Sequence, residues 1–370
     1  MIRPALAAAA LVLVAAGCSQ GGDEVNVNVN TDGTPPTATA SAGASGHEPT
    51  VLDTIATGLE VPWGLAFLPD GDAVVTERDS AKVLTISGAD HEVTEVGQVG
   101  DAAPQGEGGL LGVAVSPAYD KDHTLYFYVS STDDNRIVTA TLANGKLGAT
   151  KPIFTGIPLG AIHDGGRLAF GPDGMLYAST GETGNSELAQ DRDSLGGKIL
   201  RLTPEGKRAP GNPFDTAIWS FGHRNVQGLA FVDDQLWASE FGQNTFDELN
   251  RIDAGANYGW PVHEGTGGAS EGYTDPQATW GTDVASPSGL AYTDGALWMA
   301  ALRGNRLWKI PVKDQTAGQP EAYFVGAYGR MRTVVVAPDG NLWVTTSNRD
   351  GRGDPSGSDD QILLISPTGG

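Results

Sequence analysis

One strand-turn-strand pattern recurs six times along this chain, and that repetition limits the fold more than any other feature. The copies read "WGLAFLPDGDAVVTE", "GLLGVAVSPAYDKDHTLYFYVS", "GGRLAFGPDGMLYASTGE", "VQGLAFVDDQLWASEFG", "PSGLAYTDGALWMAALRG" and "MRTVVVAPDGNLWVTTSNR". With Leu65, Val113, Leu168, Leu229, Leu290 and Val334 as equivalent anchors, successive copies lie 48, 55, 61, 61 and 44 residues apart. Four of the six turns carry Asp-Gly, which suits a tight reversal between antiparallel strands. In five copies the second strand opens on an aliphatic-aromatic pair: Leu125-Tyr126, Leu176-Tyr177, Leu236-Trp237, Leu297-Trp298 and Leu342-Trp343. The first copy has Ala73-Val74 there.

Units of this length cannot bury both faces of a hairpin alone, so they must pack on their neighbours. The gaps between copies leave room for two outer strands and loops. That predicts an all-β, six-bladed β-propeller rather than a stacked solenoid. With 370 residues and 52 glycines, the chain suits many short strands joined by tight turns. Its net charge of −22 argues against nucleic acid or anionic headgroups as partners, since both require a basic face.

The register then places side chains. If each hairpin forms the two inner strands of a blade, the residues before the anchor and after the second strand crowd one mouth of the central channel. Before the anchors stand Glu107, His163, Arg224, Arg330 and Arg332; after the second strands stand Glu77, Glu182, Glu240, Arg303 and Arg349. His163 and Arg224 occupy the same place in successive blades, each five residues ahead of its anchor. Arginines gathered from several blades repel one another unless carboxylates or a bound anion compensate them. Glu182 and Glu240 could supply part of that compensation, and a multiply negative small ligand the rest.

The N-terminus reads as an export address. In residues 1–17, Arg3 precedes the apolar run Ala5 to Ala16, which is too short for a spanning helix. The sequence Ala15-Ala16-Gly17-Cys18 resembles a bacterial lipobox, which makes Cys18 the lipidation site. Cys18 is the only cysteine, so an intrachain disulfide is excluded. Residues 18–50 are Gly, Ala, Ser, Thr, Asn and Pro with few large apolar side chains, the composition of a flexible tether reaching on the order of 30 Å. The folded domain is expected over residues 51–370. It would be held outside the cytoplasm at a bacterial membrane by the lipid alone.

Seven stretches carry a more specific likeness. "PWGLAFLPDGDAVVTER", "GEGGLLGVAVSP", "HDGGRLAFGPDG", "LAQDRDSLGGKILRL", "WSFGHRNVQGLAF", "FDELNRIDAGANYGWP" and "GRMRTVVVAPDG" closely resemble the soluble aldose sugar dehydrogenases that depend on pyrroloquinoline quinone (PQQ), the glucose/sorbosone dehydrogenase family. The likeness runs from about Leu52 to Ile365, and that family's fold is a six-bladed propeller. It implies oxidation of an aldose at its anomeric carbon to the lactone, with hydride passing to PQQ. By the same resemblance His163 is the general base, a role that suits a neutral imidazole. Glu182 is the acid paired with it, and Arg224 polarises the quinone.

PQQ carries three carboxylates. The resemblance assigns its binding to Arg224, Asn225, Arg303, Arg330 and Arg332. It also implies Ca²⁺ held against the cofactor by the backbone carbonyls of Gly242 and Gln243. A second Ca²⁺ is implied at the Glu248 side chain and the Tyr258 carbonyl. Oxygen donors in irregular geometry suit this ion. Glu107 falls on a substrate-contacting position where glucose-oxidising members have glutamine, and Ile162 falls where they have a sugar-binding aspartate. Glucose preference therefore does not carry over, and the sugar and the electron acceptor stay unnamed. His223 is expected to support the turn before Arg224. A non-catalytic ligand-binding propeller and a calcium-dependent lactonase are the rival readings. The first would be favoured by loss of His163 or Arg224, and the second leaves the arginines without a ligand.

Overall fold

The computed structural model describes residues 48–369. The signal segment, Cys18 and nearly all of the tether lie outside them. Six antiparallel sheets of four or five strands follow one another along the chain, and the six repeated hairpins form their two inner strands. The innermost strands are Pro62–Phe67, Leu110–Val115, Leu168–Phe170, Val226–Val232, Pro287–Thr293 and Met331–Val336. Each packs on the next, and Met331–Val336 packs back on Pro62–Phe67, which closes the circle. The protein is a six-bladed β-propeller.

The third hairpin illustrates how local sequence fixes local structure. Leu168–Phe170 pairs with Leu176–Ser179, in the register Leu168 to Ala178 and Phe170 to Leu176. Between them Gly174 sits at φ 73°, a conformation that costs glycine little. Asp173 Oδ1 accepts the Met175 N–H at 3.0 Å and braces the reversal from inside.

The aliphatic-aromatic pairs explain why the blades stay together. Six hydrophobic clusters fill the six interfaces between neighbouring blades. Successive strand residues point to opposite faces, so the two members of each pair must serve different interfaces. Leu236 packs toward the third blade and Trp237 toward the fifth. Leu297 and Trp298 divide the same way between the fourth and sixth blades. So do Leu342 and Trp343, Leu125 and Tyr126, Leu176 and Tyr177, and Ala73 and Val74. Full burial of such a side chain contributes about 2–3 kcal/mol. The repeat is thus a packing code: one residue for the blade behind, the next for the blade ahead.

The sixth blade is assembled from both ends of the folded chain. Its inner strands Met331–Val336, Leu342–Thr346 and Ile362–Ser366 are followed outward by Thr50–Ala56. Thr50 pairs with Ser366 and Ala56 with Ile362, in an antiparallel seam. In five blades the pairing of the inner hairpin is interrupted by a bulge just before the anchor, for example between Pro62 and Gly64 and between Val226 and Gly228. Bulges re-aim the chain, and here they sit where the strands enter the cavity described next.

Candidate active site

The loops entering the inner strands and those leaving the second strands come together around a cavity of about 730 Å³. His163 lies on its wall, at φ 59°. Three of its four polar groups are held. The N–H donates to Glu107 Oε2 at 3.0 Å, the carbonyl accepts the Thr183 N–H at 3.2 Å, and Nδ1 is paired with Glu182. Nε2 has no hydrogen-bond partner among the described residues. Glu182 is 2% exposed and lies behind the imidazole, out of the cavity. A carboxylate on Nδ1 places the proton there and leaves the Nε2 lone pair facing outward.

Six guanidiniums line the cavity, from Arg78, Arg224, Arg303, Arg330, Arg332 and Arg352, against the carboxylates of Glu107, Asp247 and Asp350. Asp350 Oδ2 takes two of them, Arg330 at 2.8 Å and Arg332 at 3.1 Å. Arg352 pairs with Glu107 Oε1 at 2.7 Å, and Arg78 with Asp79 at 2.6 Å. Arg303 is exposed and has no ion-pair partner among the described residues. Arg224 lacks a carboxylate partner as well; its Nε and Nη2 donate to the amide oxygen of Gln243 at 2.9 and 2.6 Å. Burial lowers the Arg224 pKa, opposed by the fields of Glu182 and Glu240. Burial also draws the Arg332 pKa down to about 10, against the attraction of Asp350. The positive charge is only partly neutralised from within.

Behind Arg224 stands a second layer. His223, fully buried, donates or accepts at both ring nitrogens, with Glu240 Oε2 and Ser220 Oγ each 2.8 Å away, and stacks on Tyr258 with centroids 4.7 Å apart. Glu240 Oε1 accepts the Arg224 backbone N–H at 2.5 Å. The expected support of this turn by His223 is therefore present, through one shared carboxylate.

The carbonyls of Gly242 and Gln243 lie at the cavity edge and accept no hydrogen bond among the described residues. Their turn is tied down by its amides. Asp247 accepts the Gly242 N–H at 2.9 Å, and Glu264 Oε1 accepts those of Gln243, Asn244, Thr245 and Phe246 at 2.6 to 3.2 Å. Next to this turn, a cavity of about 10 Å³ is bounded by Glu240, Glu248, Tyr258 and Glu264 among others, room for about one water or ion. Burial and then the Glu240 charge push the Glu248 carboxyl up to about 8. The Tyr258 carbonyl is free of hydrogen bonds among the described residues.

Residues 59–363 match the family model described as Glucose / Sorbosone dehydrogenase. The chain belongs to the glucose/sorbosone dehydrogenase family. It is 54% identical to the PQQ-bound aldose sugar dehydrogenase of Streptomyces coelicolor, with a TM-score of 0.84 over 90% of this chain and 99% of that one. An aldose sugar dehydrogenase of Escherichia coli is 28% identical, over 84% of this chain and 91% of its own length. Quinoprotein glucose dehydrogenase B of Acinetobacter calcoaceticus is 32% identical, over 56% of this chain and 51% of its own.

In this glucose/sorbosone dehydrogenase, the fold brings Glu107, His163, Arg224, Asn225, Gly242, Gln243, Arg303, Arg330 and Arg332 to one cavity. Glu182 stands one layer behind, and Glu248 and Tyr258 border the smaller cavity. Ile162 is on the wall beside His163. Besides Glu182 and Glu240, which stand behind the wall, two residues expected at the mouth turn away from it. Glu77 accepts the Glu60 N–H and the Ser80 hydroxyl, and Arg349 donates to the Asp359 carbonyl. Each satisfies a local loop, a demand that blade register does not reveal. Asp350, Arg78, Arg352 and Asp247 also line the cavity, at positions that the repeat register does not mark. The first three cluster in the charged strings "TERD" and "NRDGRGD", the available signal.

Proposed function

We propose that this chain is a PQQ-dependent aldose dehydrogenase that oxidises sugars at the anomeric carbon to lactones. The observation that carries the reading is His163, fixed at its N–H, carbonyl and Nδ1, with Nε2 open toward a cavity rich in guanidinium groups. When bound, PQQ supplies the two-electron acceptor for the hydride that leaves the sugar. His163 Nε2 takes the proton of the anomeric hydroxyl, and Glu182 stabilises the imidazolium that results. Arg224, Asn225, Arg303, Arg330 and Arg332 would hold the cofactor, whose three carboxylates answer the unneutralised charge. The free carbonyls of Gly242 and Gln243 fit a calcium ion beside it. Glu248 and the Tyr258 carbonyl fit a second one, which would relieve the crowding of buried carboxylates there. Ile162 gives the sugar an apolar edge, and Glu107 is engaged by Arg352 and the His163 amide.

The export reading completes the proposal: lipid on Cys18 and the tether over residues 18–50 would hold the enzyme at the outer face of a membrane. Adding PQQ and Ca²⁺ to the purified apoprotein and assaying aldoses with an artificial electron acceptor tests the activity. Dye reduction with release of lactone is the expected result. Cofactor binding without turnover would favour a ligand-binding propeller, and hydrolysis of lactones without PQQ would favour a lactonase.

A further inference from the structure

The buried charge of Arg167 lies next to the cavity but not on its wall. Immediately before the anchors of four blades stand glycines: Gly64, Gly112, Gly228 and Gly289. Close approach explains them. A Cβ on Gly112 would lie 2.2 Å from the Gly166 carbonyl, and one on Gly228 would lie 2.3 Å from that of Ser288. The sixth blade has Thr333 at this position, and the third has Arg167. A long cation thus occupies the place where most blades tolerate only hydrogen.

Arg167 is buried. Its Nε donates to the Gln227 carbonyl at 2.8 Å and its Nη2 to Thr333 Oγ1 at 3.0 Å. Thr333 in turn donates to the Trp63 carbonyl at 2.6 Å. The guanidinium stacks on Trp63, 4.3 Å from the ring centroid, and that of Arg332 lies 5.9 Å from the same ring. Trp63, Gln227 and Arg332 line the cavity, so Arg167 sits just beneath its floor. It has no carboxylate partner among the described residues. Asp350 is already shared by Arg330 and Arg332. Burial and then Arg332 draw the Arg167 pKa down to about 9, which leaves it charged at neutral pH. A buried cation whose partners are all neutral or positive is unfavourable unless a negative group completes it.

We infer that Arg167 is an electrostatic support of the cofactor site, its buried charge favouring a polycarboxylate in the cavity above without touching it. The inference rests on the cofactor reading and extends it to a residue outside the cavity wall. At an effective dielectric of about 20, two unit charges about 10 Å apart interact strongly enough to change an affinity by roughly tenfold.

The test compares native protein with Arg167→Lys, which keeps charge and loses the planar fork, and Arg167→Gln, which loses charge and keeps a donor. Arg167→Met repeats the charge loss should the Gln variant not fold. PQQ binding to each folded apoprotein is followed by fluorescence quenching, and the melting temperature is read with and without PQQ. Expected are a Kd within about threefold of native for Lys, a Kd raised roughly tenfold or more for Gln and Met, and a smaller PQQ-induced rise in Tm for the latter two. Equal Kd in Gln and native would overturn the inference, as would an equal loss in Lys and Gln, which would mark the residue as a geometric plug. Failure of PQQ to bind native protein would remove the cofactor reading as well. Tight native binding with an unaffected Gln variant would remove the role of Arg167 alone.

Discussion

Glu107 grips the backbone of His163: its Oε2 accepts the His163 N–H at 3.0 Å while its Oε1 takes Arg352 at 2.7 Å. The grip matters because His163 is at φ 59°, a left-handed conformation that costs a side-chain-bearing residue about 1–2 kcal/mol. A side chain expected to touch sugar is thus engaged first in holding the imidazole. Arg352 is 62% exposed, so its pair with Glu107 is a weak clamp. Arg352→Ala should lower kcat/KM by no more than about fivefold, whereas Glu107→Ala should lower it by about 10- to 100-fold. In the Glu107→Ala background the Arg352 substitution should have no further effect. Fully additive losses in that double-mutant cycle would mean the two side chains act separately.

His163→Ala should bind PQQ as native protein does and lose turnover by about 10²–10⁴-fold, the range of a general base. Stopped-flow reduction of the loaded enzyme, with Kd measured separately, checks both halves. Near-native turnover would exclude the base assignment.

Asp350 is the shared counter-ion of Arg330 and Arg332, and both arginines hold its pKa below the ordinary carboxylate value despite burial. Asp350→Asn should destabilise the apoprotein by about 3 kcal/mol, because two cations lose their partner. PQQ should restore much of that loss, so the ligand-induced rise in Tm becomes larger than in native protein. Calorimetry with and without PQQ measures the difference.

A single oxygen of Glu264 gathers four amides of the turn that presents the Gly242 and Gln243 carbonyls. Glu264→Ala should loosen that ledge and raise the Ca²⁺ concentration for half-maximal reconstitution by about 10-fold or more, as loss of outer support does elsewhere. Titration of apoprotein with Ca²⁺ at saturating PQQ reads the shift.

Asp164, next to His163, gives a pH signature. Its Oδ1 accepts from Asn135 Nδ2 at 2.9 Å and from the Gly160 N–H at 3.1 Å, while its buried Oδ2 has no partner. Burial raises its pKa to about 6, against hydrogen bonds that lower it. The folded state therefore holds its proton more tightly than the unfolded chain, whose value is near 4. Ionisation costs stability progressively from about pH 4 to pH 6, and the full cost persists above that. Relative to native protein, Asp164→Asn should gain about 1–3 kcal/mol between pH 4 and pH 7, by urea denaturation across that range. A flat difference would show that Asp164 titrates normally.

The propeller was legible because each blade repeats the same local rules. Asp-Gly turns and paired residues such as Leu236-Trp237 report on contacts made within one or two blades. Nothing local in Thr50–Ala56 marks it as the outer strand of the last blade, because its partner Ile362–Ser366 lies more than three hundred residues away. Site residues at fixed offsets from an anchor, such as His163 and Arg224, were placed by register, and their roles by family likeness. Asp350 and Arg352 belong to a loop outside the repeat, where no periodicity constrains a side chain. Arg167 stands where four other blades have glycine, and its meaning depends on Trp63 and Thr333 from other blades.

The seam between Thr50–Ala56 and Ile362–Ser366 has a bearing on chemistry it never touches. Arginines reach the cavity from several blades, so their mutual distances depend on the tilt of each blade against the next. A closed hoop fixes all those tilts together; a hoop cut at one joint can spring open a little everywhere. The outermost hydrogen bonds of the sixth blade thus hold the two ends of the hoop together around the cavity at its hub, much as a clasp holds a collar.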